Sequence, residues 1–169
     1  MQQGAEQGAG YSGEGRRGFA IAKGWEGKGI RLPERRTPGS AGYDLEAAET
    51  VTIPPGERAV IPTGLKAFMP EDEFLGIYIR SSLAFRHGLA LVNGVGIIDS
   101  DYYGNPENDG HIMIGVVNTG KKAFTVQKGE RVAQAIFQPF RRVDAEAELA
   151  AEKASTLSRR QGGIGSTGR

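Results

Sequence analysis

The sequence predicts an all-β fold, either a sandwich or a barrel. Three observations carry that reading. The apolar runs are short and rich in β-branched residues, turn signals interrupt them at close intervals, and only one short stretch, near 82–86, reads as helix. Residues 1–18 alternate Gly, Gln and Glu with almost nothing to bury, so they read as a disordered leader. The folded body is expected over 19–142, a linker over 143–158 and a glycine-rich arm over 159–169.

Taken in order, Ala41-Gly42-Tyr43-Asp44-Leu45 opens the informative part of the body, and Asp44 reads there as a turn residue. Ala59-Val60-Ile61 is a short β-branched strand after the turn Pro54-Pro55-Gly56. Leu75-Gly76-Ile77-Tyr78-Ile79 follows the turn Pro70-Glu71-Asp72, and Leu89-Ala90-Leu91-Val92 follows the helical piece. Val95 to Ile98 form a buried strand flanked by glycines that permit tight turning or close approach to a ligand. His111-Ile112-Met113-Ile114-Gly115-Val116-Val117 and Val132-Ala133-Gln134-Ala135-Ile136-Phe137 complete the set, separated by Asn118-Thr119-Gly120 and Lys128-Gly129-Glu130. Beyond Val143 the Ala/Glu-rich run to Lys153 favours helix or flexible linker by propensity.

Composition narrows the function. The 169 residues suit one domain with appendages, and a formal charge of +1 gives no reason to expect a nucleic-acid or membrane partner. The absence of cysteine removes disulfides, thiolate nucleophiles and Cys-ligated zinc together. With only His87 and His111, a histidine-rich metal site is excluded as well. No apolar stretch approaches the ~20 residues needed to cross a bilayer, and the first residues lack the apolar core of a signal peptide, so a soluble cytoplasmic protein is expected.

Several segments carry groups that bind or react. In Asn93-Gly94-Val95-Gly96-Ile97-Ile98-Asp99-Ser100-Asp101-Tyr102, Asp99 ends an apolar run, where side chains line pockets, and Tyr102 can close a pocket with a flat face. By itself this stretch also reads as an ordinary Asp- and Gly-rich turn. Arg80-Ser81-Ser82 follows a strand and offers a guanidinium, two hydroxyls and backbone amides to an anion, or equally a Ser81 or Ser82 helix cap. Gln134 sits as a polar residue inside an apolar strand, where simple alternation turns it to solvent. The C-terminal Gly162-Gly163-Ile164-Gly165-Ser166-Thr167-Gly168 has the parts of a phosphate cradle or of a frayed end. It lacks the Gly-Lys-Ser/Thr of a P-loop and follows no strand, which rejects nucleotide binding of that type.

Taken together, five segments resemble, in order, the five motifs of trimeric dUTPases: Ala41-Gly42-Tyr43-Asp44-Leu45, Arg80-Ser81-Ser82-Leu83-Ala84, Asn93 through Tyr102, Gly129-Glu130-Arg131-Val132-Ala133-Gln134 and Gly162 through Gly168. The resemblance implies a jelly-roll-like β domain and hydrolysis of dUTP to dUMP and pyrophosphate by water attack on the α-phosphorus. It matches Asp99 to the carboxylate that activates the water. Asp44 matches the residue that supports the water shell of Mg²⁺, which the family holds chiefly through phosphates and waters. Arg80, Ser81, Ser82 and Gln134 fall at phosphate contacts, and Arg159, Gly163, Gly165, Ser166 and Thr167 at the arm that closes over the triphosphate. Asn93, with the backbone of Gly96, Ile97 and Ile98 and with Met113 on the returning strand, matches the family's uracil-reading β-hairpin. Tyr102 matches the ring that packs under deoxyribose and excludes a 2′-hydroxyl. The resemblance further implies a homotrimer whose active sites are shared between subunits.

Two departures stand out. Ile164 takes the place of the usual aromatic or histidine over uracil, so it covers the base by dispersion without stacking. Asn105-Pro106-Glu107-Asn108-Asp109-Gly110 lengthens the turn after Tyr102 and is expected to form a surface loop. A related reading, dCTP deaminase, needs a glutamate on the strand after the aspartate turn. Gly115 falls at that position, and no carboxylate occurs between His111 and Phe124. A third reading is a catalytically weak dUTP-binding regulator, against which stand Asp99, Ser81 and Arg159.

Overall fold

The computed structural model describes residues 15–146. Eleven short strands dominate it: β1 (Gly18–Ile21), β2 (Tyr43–Glu46), β3 (Val51–Ile53), β4 (Arg58–Pro62), β5 (Leu65–Phe68), β6 (Glu73–Ile79), β7 (Leu89–Leu91), β8 (Gly96–Asp99), β9 (Met113–Asn118), β10 (Phe124–Val126) and β11 (Arg131–Pro139). One helix, α1 (Ser81–His87), and one 3-10 turn over Ser100–Tyr102 interrupt them. The strands pair in the orders β2-β11-β6-β8, β4-β9-β7, β1-β5 and β3-β10, and every pairing is antiparallel. The all-β expectation holds, and among the described residues the strands form open sheets and no closed barrel.

Alternation explains the core. Along β9 every second residue is buried, Ile114, Val116 and Asn118, because successive strand side chains point to opposite faces. Leu45, Ile53, Ile61, Leu65, Leu75, Leu89 and Val132 meet them from the other strands and are almost wholly buried. Asn118 is a polar member of this interior, and both its amide hydrogens and its carbonyl oxygen are bonded. Its Nδ2 donates to the carbonyls of Ile53 at 2.9 Å and Lys122 at 2.8 Å, while Oδ1 accepts from the Gly120 amide.

β11 carries one irregularity that matters for the site. Its register against β2 shifts between Arg131 and Ala133, so Val132 and Ala133 are both buried although adjacent. A bulge of this kind re-aims a side chain. Here Arg131 reaches Asp44 on β2, with Nη1 3.1 Å from Oδ2.

The structure corrects three local expectations. Asp44 is a strand residue within β2, held by its pairing with Gln134 on β11 rather than by turn chemistry. β1 begins at Gly18, and Arg17 is fixed by a bidentate pair with Glu73, so the body starts before residue 19. The strand expected from His111 begins only at Met113. His111 and Ile112 instead cross to β5 and the residues before it, through Ile112 N–H to the Leu65 carbonyl and Gly64 N–H to His111 Nε2.

Candidate functional site

The expected site residues fall into two groups on opposite sides of β6, one beside β8 and the other beside β11 and β2. The first surrounds a cavity of about 610 Å³ lined by Ile77, Asn93, Gly96, Ile97, Ile98, Tyr102, His111 and Met113, among others. The turn over 92–95 that delivers Asn93 is not a simple hairpin, contrary to expectation. β7 pairs with β9 and β8 with β6, so this turn crosses from one sheet to the other. Gly94, at φ 73°, makes the crossing tight. The cavity lies where the two sheets part, and β8 forms the edge of its sheet, so its backbone can offer both donors and acceptors to a planar ligand. Tyr102 is 7% exposed and forms part of the wall. Asp99 is the last residue of β8, pairs with Phe74 and leads directly into the 3-10 turn that carries Tyr102.

His111 completes this end. Its Nε2 accepts the Gly64 amide at 2.9 Å, which requires the neutral ring with its proton on Nδ1. Burial holds the imidazole below its ordinary value of 6.5, opposed only by the Glu49 carboxylate. The unfolded chain therefore takes up this proton at a higher pH than the folded one. The stabilisation is fully present above about 6.5 and is lost as pH falls below it. The stability gap between the parent and His111→Gln is expected to narrow from about pH 7 to pH 5 in chemical denaturation. A gap independent of pH would show that His111 does not titrate in that range.

The second group gathers around Asp44. Its carboxylate lies 3.1 Å from Arg131 Nη1 and 3.7 Å from Arg80 Nε, and Arg80 Nη1 donates to the Arg131 carbonyl at 3.4 Å. One half-buried carboxylate thus holds two guanidiniums side by side. Gln134 pairs with Asp44 across the β2–β11 ladder and with Tyr78 across β6. Gly42 makes room for it: a Cβ there would lie 2.7 Å from Gln134 Oε1. Gln134 lies between buried Ala133 and Ala135 on the less buried face of β11, as simple alternation has it, and is partly exposed. Arg80 itself occupies the cap position of α1, with no side-chain cap bond, which leaves Ser81 and Ser82 in the first turn. The expected serine cap is therefore absent, and their amides belong to the set that a helix start leaves unpaired. A shallow pocket of about 470 Å³ beside Arg80 and Arg131 extends from this cluster.

Arg131 is a residue that the sequence reading missed. It stood within the quoted motif, but only the bulge shows that it shares Asp44 with Arg80. Arg159, Gly163, Ile164, Gly165, Ser166 and Thr167 lie outside the described residues. Among the described residues no cluster of three or more His, Asp or Glu side chains could hold a metal ion alone. Asp44 is a single carboxylate, which fits Mg²⁺ held mainly by substrate phosphates and waters and does not fit an all-protein cage. No helix among the described residues is long and apolar enough to cross a membrane.

Comparison with known proteins places the chain in a family. The dUTPase family profile matches residues 28–168. A deoxyuridine 5′-triphosphate nucleotidohydrolase of Lactococcus lactis is 47% identical over 152 residues, spanning 90% of this chain and 97% of that protein. Its counterpart in Anaeromyxobacter is 42% identical, covering 86% and 93%. The crystal structure of a dUTPase from Streptococcus mutans superposes with a TM-score of 0.71 at 42% identity, covering 75% of this chain and 98% of that one. A dUTPase of phage phi11 of S. aureus, 21% identical with a TM-score of 0.64 over 76% of this chain and 94% of that one, shares the fold. With family, fold and ordered motifs in agreement, this chain belongs to the dUTPase family.

Proposed function

We propose that this protein hydrolyses dUTP to dUMP and pyrophosphate as a cytoplasmic homotrimer whose active sites are shared between subunits. Such a reaction keeps uracil out of DNA and supplies dUMP for thymidylate synthesis. The observation that carries the shared site is the register of β6. Asp99 sits opposite Phe74, and Arg80 follows six residues further along the same strand. At ~3.3 Å per residue the two positions are about 20 Å apart. A base must lie within hydrogen-bond reach of its water, and that water within reach of the phosphorus. That separation favours a site in which a neighbouring chain, rather than the same one, brings Asp99 to a phosphate held by Arg80. The exposed Val60, Val92, Ile97 and Met113, at 50%, 47%, 57% and 36%, ring the cavity mouth and offer apolar surface for that neighbour.

In this reading the uracil edge meets Asn93 and the backbone of Gly96, Ile97 and Ile98, with Met113 flanking it and Tyr102 under the sugar. Arg80, Ser81, Ser82 and Gln134, joined by Arg131, come from the neighbour and neutralise the phosphate chain. Asp99 accepts a proton from water as its oxygen bonds to the α-phosphorus. The bond from that phosphorus to the bridging oxygen breaks, and pyrophosphate leaves. Asp44 would support the water shell of a Mg²⁺ ion, which would supply positive charge to offset that of the phosphate chain. Arg159, Gly163, Ile164, Gly165, Ser166 and Thr167 supply the closing arm.

An assay with dUTP and dCTP separates this reading from deamination. Pyrophosphate release from dUTP, with no ammonia from either nucleotide, is the expected result. Ammonia release from dCTP would reverse the assignment, and binding of dUTP without turnover would favour a regulatory protein.

A further inference from the structure

We infer that Asn108, on the extra loop after Tyr102, is a positioning residue that sets the sugar gate by holding the Tyr102 ring through its hydroxyl. The inference rests on the proposed role of Tyr102. The loop lies on the surface at Pro106 and Glu107, as expected, but its ends fold back over the tyrosine: Asn105 is 3% exposed and Gly110 is buried. Asn108 Nδ2 donates to Tyr102 Oη at 2.7 Å. The amide orientation follows from its other side, because Asn108 Oδ1 faces the Gly110 N–H at 3.0 Å and must be the acceptor there. With one lone pair of Oη occupied, the hydroxyl hydrogen points to the His111 carbonyl at 3.5 Å.

The loop is anchored well enough to act as a brace. Asp109 adopts φ 61°, an uncommon conformation for a residue with a side chain. Its carboxylate is fixed from two sides, by Lys66 Nζ at 2.6 Å and by the Lys23 amide at 2.8 Å. Lys66 also sits 4.7 Å above the Tyr103 ring, and so ties β5 to both ends of the loop. Gly110 is required for closure, since at φ 78° a Cβ would run into the Tyr102 carbonyl oxygen. The Asn105 amide returns a bond to that same carbonyl at 3.1 Å. A ring held at its backbone and at its hydroxyl has little freedom to tilt. A tilt is what a ribose 2′-hydroxyl would need.

The test compares kcat/KM for dUTP and UTP in the parent, Asn108→Ala, Tyr102→Phe, the double variant and Asn108→Asp. A parent with no preference for dUTP would overturn the site assignment together with this inference. Given that preference, Asn108→Ala and Tyr102→Phe should each lower the dUTP/UTP ratio roughly five- to tenfold, the worth of one buried hydrogen bond. The double variant should match the larger single loss, because both remove the same bond. Asn108→Asp should restore most of the ratio, since a carboxylate accepts both the Gly110 amide and the tyrosine hydroxyl. Tyr102→Phe removes only the bonds of the hydroxyl and leaves the other loop contacts in place, so it decides the matter should Asn108→Ala fail to fold. Additive losses, or a lowered melting temperature with an unchanged ratio, would overturn the inference.

Discussion

Asp99→Asn is expected to retain dUTP binding while turnover falls by roughly two to four orders of magnitude, the range that loss of a general base commonly gives. The substitution keeps the size of the side chain and most of its bonding, so β8 and its pairing with Phe74 should persist. What disappears is the charge that accepts a proton from water. The cavity, the Tyr102 wall and the arginines proposed to come from a neighbour all remain, and KM should therefore change far less than kcat. Single-turnover hydrolysis beside equilibrium binding of a non-hydrolysable dUTP analogue measures the split. Near-normal turnover would remove Asp99 from the role of base, and equal losses in binding and turnover would make it a binding group only.

The sequence made some parts of this account legible and hid others for physical reasons. β4, β6, β7, β8, β9 and β11 were visible because each carries a short apolar run bounded by turn signals, and the helix was visible between β6 and β7. β2 was hidden because Tyr43-Asp44-Leu45-Glu46 buries only Leu45 fully and reads as polar. Its strand character comes from β11 at its side, a long-range partner that local propensity does not register. β5 carried a period-two pattern, with Leu65 and Ala67 inward, yet four residues are too few for that pattern to stand out. β1, β3 and β10 were missed for the same reason of length.

The site divides in the same way. Residue types and their order singled out Asp44, Arg80, Asn93, Asp99, Tyr102 and Gln134 as the proposed site, since chemistry restricts which side chains serve. Geometry did not follow from order. That Asp44 ties Arg80 to Arg131 depends on a bulge, and a bulge leaves no mark in composition. The role of Asn108 was hidden because an Asn/Pro/Asp/Gly loop looks alike whether it lies on the surface or folds back on a tyrosine. The turn that carries Asn93 resembled a hairpin because glycine and short apolar flanks suit a hairpin and a sheet-crossing turn equally well.

Arg80→Ala is the second substitution with a large expected effect. It removes a charged donor from the phosphate cluster, a loss of about 10- to 100-fold in kcat/KM for one charge-assisted bond. The fold should survive, because Arg131 remains to pair with Asp44. Its main value lies in combination with Asp99→Asn. The two substitutions sit about 20 Å apart on one chain, and the account places them in the same active site only across a subunit boundary.

The most direct measurement mixes the two variants at equal amounts, by joint unfolding and refolding or by co-expression, and assays dUTP hydrolysis. In a cyclic trimer, random mixing makes about three quarters of the assemblies mixed, and each of these holds one site of three with both groups intact. Activity is therefore expected to rise to about a quarter of the parent level, well above either variant alone. If the mixture shows only the average of the two separate activities, Asp99 and Arg80 do not meet across subunits, and the shared-site account is wrong.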